Sequence, residues 1–180
     1  AAVPVLSVQD LTIELGLARG GYPLVSELSF DVMPGEILCI VGESGSGKTL
    51  TALSLMSLLV APVRVSRGRI ELNGEDMLMM SEARREEIRG DRIAMVFQDP
   101  MSSLNPVLKI GVQITESNAR HQPSLSRNER MERAEQLLAM VGVPSPRERL
   151  EVYPHEMSGG MRQRVLIAMA FAGEPTLVVA

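Results

Sequence analysis

Tryptophan is absent from the 180 residues, cysteine occurs once, and three phenylalanines and two tyrosines make up the whole aromatic content. A lone thiol cannot build a disulfide framework, so packing has to hold the fold, and Cys39 reads as a small buried side chain in a reducing compartment. No run of eighteen or more apolar residues occurs, and the N-terminus lacks a basic segment followed by an apolar one. Neither a membrane span nor a secretory signal is expected, and the chain reads as cytoplasmic. Excess charge is missing too. A net charge of −4 gives no general pull toward nucleic acid or an anionic membrane, which disfavours a basic-surface binder. The chain has 45% hydrophobic and 22% charged residues, with twelve methionines sharing core filling with the aliphatics. That composition and length suit one globular domain with a substantial core.

The most specific stretch is Gly42-Glu43-Ser44-Gly45-Ser46-Gly47-Lys48-Thr49, a glycine, four residues, then Gly-Lys and a hydroxyl residue. Residues 36–41 before it are short and largely apolar and read as a buried strand, and residues 49–59 after it carry the apolar density of a helix. In that context successive N–H groups of the loop form an anion nest at the positive end of a helix dipole. Lys48 adds a mobile positive charge, and the Thr49 hydroxyl is placed to ligate Mg²⁺. Polyphosphate binding is the reading these residues support.

Upstream, residues 5–9 and 11–15 alternate apolar and polar positions and read as one or two half-exposed antiparallel strands, followed by a loop over 16–23 and a further strand at 28–32. Downstream, residues 69–72 read as a strand ending in the hairpin turn Asn73-Gly74. Residues 82–88 read as a polar helix and residues 93–97 as a buried strand that ends at Gln98-Asp99-Pro100. From Met101 to Glu156 the pattern is helices and loops. Ser126 and Glu129 fit a capping box, and Met131, Ala134, Leu137, Leu138 and Val141 fall on one helix face that ends at Gly142, whereas residues 120–124 read as an exposed loop. Ser158 then precedes Gly159 and Gly160 as the N-cap of a helix that continues through 165–172, which makes a second anion-binding helix start. Residues 177–180 begin another buried strand.

With the phosphate loop, a glutamine after a buried strand and Ser-Gly-Gly before a helix in that order, the sequence resembles the ATPase subunits of ABC transporters. Phe97-Gln98-Asp99-Pro100-Met101-Ser102-Ser103-Leu104-Asn105-Pro106 is similar to the Q-loop of the oligopeptide and dipeptide importer subfamily, which includes nickel and glutathione importers. Tyr153-Pro154-His155-Glu156-Met157-Ser158-Gly159-Gly160-Met161-Arg162-Gln163-Arg164 is similar to that subfamily's signature region, Met161 standing where the general signature has Gln.

The resemblance implies an α/β fold: a P-loop NTPase core with an antiparallel β region and an inserted helical subdomain. The expected division is 1–100 for the β region and core, 101–165 for the helical subdomain with the signature, and 166–180 for the return to the core. It further implies that two ATPase domains face each other head to tail. ATP would lie between residues 42–49 of one and Ser158, Gly159, Gly160 and Met161 of the other, with Lys48 and Gln98 catalytic and Thr49 and Gln98 at the Mg²⁺. Implied partners are a second ATPase subunit, membrane permeases and, indirectly, a solute-binding protein, at the cytoplasmic face of the membrane and without nucleic acid. The last strand resembles the start of the Walker B strand, and the sequence stops at Ala180 before that motif's Asp and Glu, so the 180-residue piece is expected to bind nucleotide weakly and not turn it over. Two alternatives stand beside the importer ATPase: a non-hydrolysing nucleotide-binding module or fragment, and an ABC ATPase without a permease. Tyr22 is the nearest aromatic for stacking on adenine but reads better as a loop residue; His121 and His155 read as surface or capping histidines, and Glu43 and Glu156 are not offered as bases.

Overall fold

An alternation of apolar and polar residues that slips by one place at Asp10 shapes the first part of the chain. In the computed structural model, which describes residues 3–17, 20–97, 103–121 and 124–180, strand β1 (Leu6–Leu17) runs unbroken through that slip. Leu6 and Val8 are buried, Asp10 takes a positive φ of 47°, and Leu11 and Ile13 are buried again. The extra residue is a bulge. It restores the inward parity that strict alternation would have lost, and both neighbouring ladders shift register across it. Strand β2 (Gly20–Val32) pairs antiparallel with one edge of β1 and β3 (Val63–Leu72) with the other, giving the order β2-β1-β3-β4 with β4 at Glu75–Asp76. Asn73 (φ 51°) and Gly74 (φ 83°) form the turn between β3 and β4, as their dipeptide predicts.

The structure corrects the first loop. Gly16, Leu17 and residues 20–23 belong to the β1–β2 ladder, with Leu17 opposite Gly20 and Leu15 opposite Tyr22. Propensity alone would not put these glycines in strands, but nine paired positions of ladder override it.

A second correction concerns residues 36–41. They form no strand, and Ile37 and Val41 are 90% and 88% exposed. A buried strand needs ladder partners on its edges, and among the described residues none pairs with this stretch. Cys39 is correspondingly exposed, not buried. After it comes helix α1 (Lys48–Leu55), shorter than the expected 49–59 because the chain leaves the helix at Met56 and Ser57 takes φ 53°.

The chain divides into two compact units, Ala1–Glu87 and Ile88–Ala180, with helix α2 (Glu82–Ile88) at the division. In the second, β5 (Ile93–Met95) pairs in parallel with β6 (Leu177–Val179), and Val96 N–H extends the ladder to Val179 O at 2.8 Å. Between them lie α3 (Ile110–His121), α4 (Arg127–Met140), the short α5 (Pro146–Arg149), a 3-10 turn (Pro154–Glu156) and α6 (Gly159–Ala170). Residues 120 and 121, expected in a loop, belong to α3, and residues 122 and 123 lie outside the described residues.

Helix α4 has the capping box its sequence predicts: Ser126 N–H donates to Glu129 Oε2 at 2.7 Å and Glu129 N–H to Ser126 Oγ at 3.4 Å. Hydrogen bonding from the Ser126 side chain, and then from its backbone, holds the Glu129 carboxyl below the usual range. Ala134, Leu137 and Leu138 of α4 pack with Ile110 and Ile114 of α3, Val165 and Ala168 of α6, and the connecting Leu150 and Met157 in one buried cluster. Truncating one of its leucines to alanine costs about 2–5 kcal/mol.

Candidate nucleotide-binding site

Gly47 is the N-cap of α1 and sits at φ 89°, ψ 4°, in the left-handed region, with no side chain capping the helix. Two constraints make it glycine. An L-residue is strained at that φ, and a Cβ there would lie 2.5 Å from Val25 Cγ2 and 3.3 Å from Leu24 O. Strand β2 therefore presses on the phosphate loop from the side. Among the described residues no acceptor takes the amide N–H of Gly45, Gly47, Lys48 or Thr49. These are the donors that a helix start leaves bare and that an anion can take.

Lys48 Nζ donates to Gly42 O at 2.7 Å, Glu43 O at 2.8 Å and Ser46 Oγ at 3.3 Å. The ammonium thus arches across the loop it belongs to and braces it. Ser46 N–H closes the turn by donating to Glu43 O at 3.2 Å. Residues 42–46 are exposed, and so is Thr49, whose hydroxyl is a hard oxygen donor. That donor fits Mg²⁺ held jointly with phosphate oxygens, the mode in which this ion keeps few protein ligands.

In the second unit Ser158 is the N-cap of α6, with extended backbone (φ −65°, ψ 159°) and its Oγ accepting from Met161 N at 3.3 Å. Gly159 and Gly160 are exposed, and a Cβ built on either meets nothing within 4 Å. The surface beside this helix start is open to a bulky group. Its approach is well braced: Tyr153 N–H donates to Glu156 Oε2 at 2.8 Å, Met157 is buried, and Arg162 Nε donates to Pro154 O at 2.7 Å. Met161 is half-buried against the helical cluster.

Each set of residues is assembled within its own unit, 42–49 in the first and 158–161 in the second. Gln98 lies outside the described residues. Tyr22 is exposed on β2, and the β2 residue that reaches the loop is Val25, which sequence reasoning missed because a strand valine carries no chemical mark. The exposed His155 stacks on Tyr153 with ring centroids 5.6 Å apart, His121 is the last residue of α3, and Glu156 is spent on its own turn.

Comparison with known proteins decides what the two helix starts belong to: the ABC transporter family model matches residues 25–180. The chain belongs to the ABC transporter family. Among curated ABC relatives, the dipeptide transport ATP-binding protein DppD of Escherichia coli is 45% identical over 97% of this chain and 53% of its own length. The oligopeptide transport ATP-binding protein OppD of Bacillus subtilis is 45% identical over 97% of this chain and 49% of its own. The chain thus spans about half the length of the curated relatives it matches. Among solved structures, the ATP-binding cassette MJ0796, a dimer in a post-hydrolysis state bound to ADP and Pi, matches with a TM-score of 0.82 at 24% identity, covering 96% of this chain and 72% of that one. Part of an ABC transporter complex from Clostridium perfringens, cbiO1, matches with a TM-score of 0.77 at 21% identity, covering 97% and 64%. At those identities the likeness concerns the fold. It is the ABC ATPase cassette: mixed α/β with an antiparallel β region.

Proposed function

We propose that this chain is the nucleotide-binding part of an ATPase subunit that powers peptide import across a membrane. The observation that carries the reading is the start of α1, where the amides of Gly45, Gly47, Lys48 and Thr49 have no acceptor among the described residues, beside the Lys48 ammonium. Bare amides beside an ammonium suit an anionic polyphosphate. In this reading the amides of residues 42–49 hold the β- and γ-phosphates, and Lys48 turns from the loop carbonyls to the γ-phosphate. The Thr49 hydroxyl ligates Mg²⁺, which when bound neutralises phosphate charge. Gln98 acts at the metal or the attacking water.

The proposed second half of the site comes from a partner copy or paralogue, with the amides of Gly159 and Gly160 and the Ser158 hydroxyl meeting the γ-phosphate and Met161 beside them. ATP then favours the closed pair because only that state makes the second set of contacts, and hydrolysis releases it. Residues 1–100 act as β region and core, 101–165 as helical subdomain and 166–180 as the return to the core. Peptides are the proposed cargo class, which rests on the resemblance to dipeptide and oligopeptide transport proteins. The permease partners and the cytoplasmic face follow from the same reading. Among the described residues no helix is long and apolar enough to cross a membrane.

The test is uptake of labelled dipeptides and tripeptides by cells carrying the full-length protein with its partner subunits, set beside ATP hydrolysis by the purified assembly. Both should require Lys48. Hydrolysis that survives Lys48→Ala, or an intact ATPase whose loss leaves peptide uptake unchanged, would overturn the reading in its first or its second part.

A further inference from the structure

The sequence holds four asparagines, and the structure separates one of them from the rest. Asn105 is followed by proline, which has no N–H. Asn118 lies inside α3 and Asn128 inside α4, where Ser126 Oγ takes the amide of its successor, Glu129, at 3.4 Å. Asn73 is exposed at the turn between β3 and β4 and is followed by Gly74, also exposed, whose N–H has no acceptor among the described residues. A Cβ built on Gly74 meets nothing within 4 Å, so the space beside that nitrogen is open. A backbone nitrogen in this setting is free to attack the side-chain carbonyl of the asparagine before it.

We propose that Asn73 is a self-modification site, where Gly74 N displaces the Asn73 side-chain amide and leaves aspartate or isoaspartate in the turn. A base in solvent removes the Gly74 amide proton, and a bond forms from Gly74 N to Asn73 Cγ. The bond from Cγ to Nδ2 then breaks, and the departing group takes a proton from solvent and leaves as ammonia. Water opens the cyclic imide, at Cγ to give aspartate or at the main-chain carbonyl to give isoaspartate. The net change is asparagine and water to an acid and ammonia, with no oxidant or reductant, and nothing in it depends on nucleotide.

The turn is a poor host for the isoaspartate product. Asn73 and Gly74, both at positive φ, are the two-residue turn that lets Leu72 pair with Glu75 and Glu71 with Asp76. Isoaspartate lengthens the main chain between them by one carbon and breaks that register. Just beyond lies Met77, 1% exposed, whose N–H donates to Ile70 O at 2.8 Å. Either product also adds a negative charge next in the chain to Glu75 and Asp76, whose carboxylates already hold Arg84 and Arg69.

The experiment ages the full-length protein in mildly alkaline buffer beside a free peptide spanning residues 69–78. Conversion is read by peptide mapping in a mass spectrometer, and isoaspartate by methyl transfer from S-adenosylmethionine with an isoaspartate-specific methyltransferase. Conversion at Asn73 should run about tenfold or more ahead of that at Asn105, Asn118 and Asn128, and within about tenfold of the free peptide. Methyl acceptance by this turn should vanish in Asn73→Gln. In the fraction carrying isoaspartate, hydrogen exchange at the Met77 amide should quicken by about tenfold or more, whereas Asn73→Asp, which adds the charge without the carbon, should hold it within about twofold. A rate at Asn73 more than tenfold below the peptide's, or less than tenfold ahead of the other three, would overturn the proposal by showing that the turn shields the nitrogen. Unchanged Met77 exchange in the isoaspartate fraction would overturn the predicted loss of register.

Discussion

Helix α1 begins at a glycine in the left-handed region with no capping side chain, whereas α6 begins at a serine in extended backbone whose hydroxyl takes the amide of Met161. Both present bare amides at a positive dipole end, yet they differ in what they need. The start of α6 is satisfied at its third position by its own chain, so an approaching phosphate finds a helix already held. The start of α1 has no such substitute, and its lysine is bonded to the loop's own carbonyls. In the proposed reading one holds an anion and the other meets one. Helix α4, with a complete capping box and no role in the site, supplies the reference for a start that needs neither.

The largest effect should come from Lys48→Ala in the full-length protein, which removes both the brace and the charge. ATP affinity should fall by about a hundredfold in calorimetric titration. Affinity within about threefold of the original would mean the amides alone hold the nucleotide and would erase the distinction between the two starts. Next comes Gly159→Trp. Because a Cβ there meets nothing within 4 Å, the subunit should fold and bind ATP within about twofold, while ATP-driven pairing of subunits weakens by about tenfold or more in sedimentation. Equal loss of both properties would break the comparison by placing the two starts in one intramolecular pocket.

Ser126→Ala at the reference start should cost about 1 kcal/mol in urea unfolding and leave ATP affinity unchanged. The smallest effect is one of pH. Because the folded Glu129 carboxyl is held below its usual range, its contribution is present above the unfolded carboxyl's titration and lost as pH falls through the folded one. The unfolding midpoints of the original chain and of Glu129→Gln should therefore differ at neutral pH and converge in acid. A gap that persists at low pH would show that the helix is capped by something other than this carboxylate.

What was legible in the sequence is what short-range rules govern. The glycine turn that opens α1, the capping box at Ser126, the Asn73-Gly74 turn and the apolar face of α4 are each decided within a few residues, and the structure has them where the residues indicate. What was illegible depends on partners far away in sequence. Residues 36–41 have strand composition, but a strand exists only with a neighbour to pair with. Gly16, Leu17 and residues 20–23 have loop composition, yet the long β1–β2 ladder carries them. The site shows the same split. Lys48 and Ser158 are marked by their motifs, but Val25 against Gly47 is visible only once the chain is folded, since a strand valine signals no role by itself.

The ladder between β1 and β3 has a consequence for how the protein forms. It joins Leu6 to Leu72 and Leu15 to Val63, so the whole phosphate loop lies within a length of chain that this pairing closes. Closing so long a span is entropically costly and slow, while a helical turn such as α1 forms quickly and frays as quickly on its own. Competence to bind ATP should therefore emerge late in refolding, in step with the non-local ladder and behind the hairpin of β1 and β2. A fluorescent nucleotide added during stopped-flow refolding would time the two events against each other.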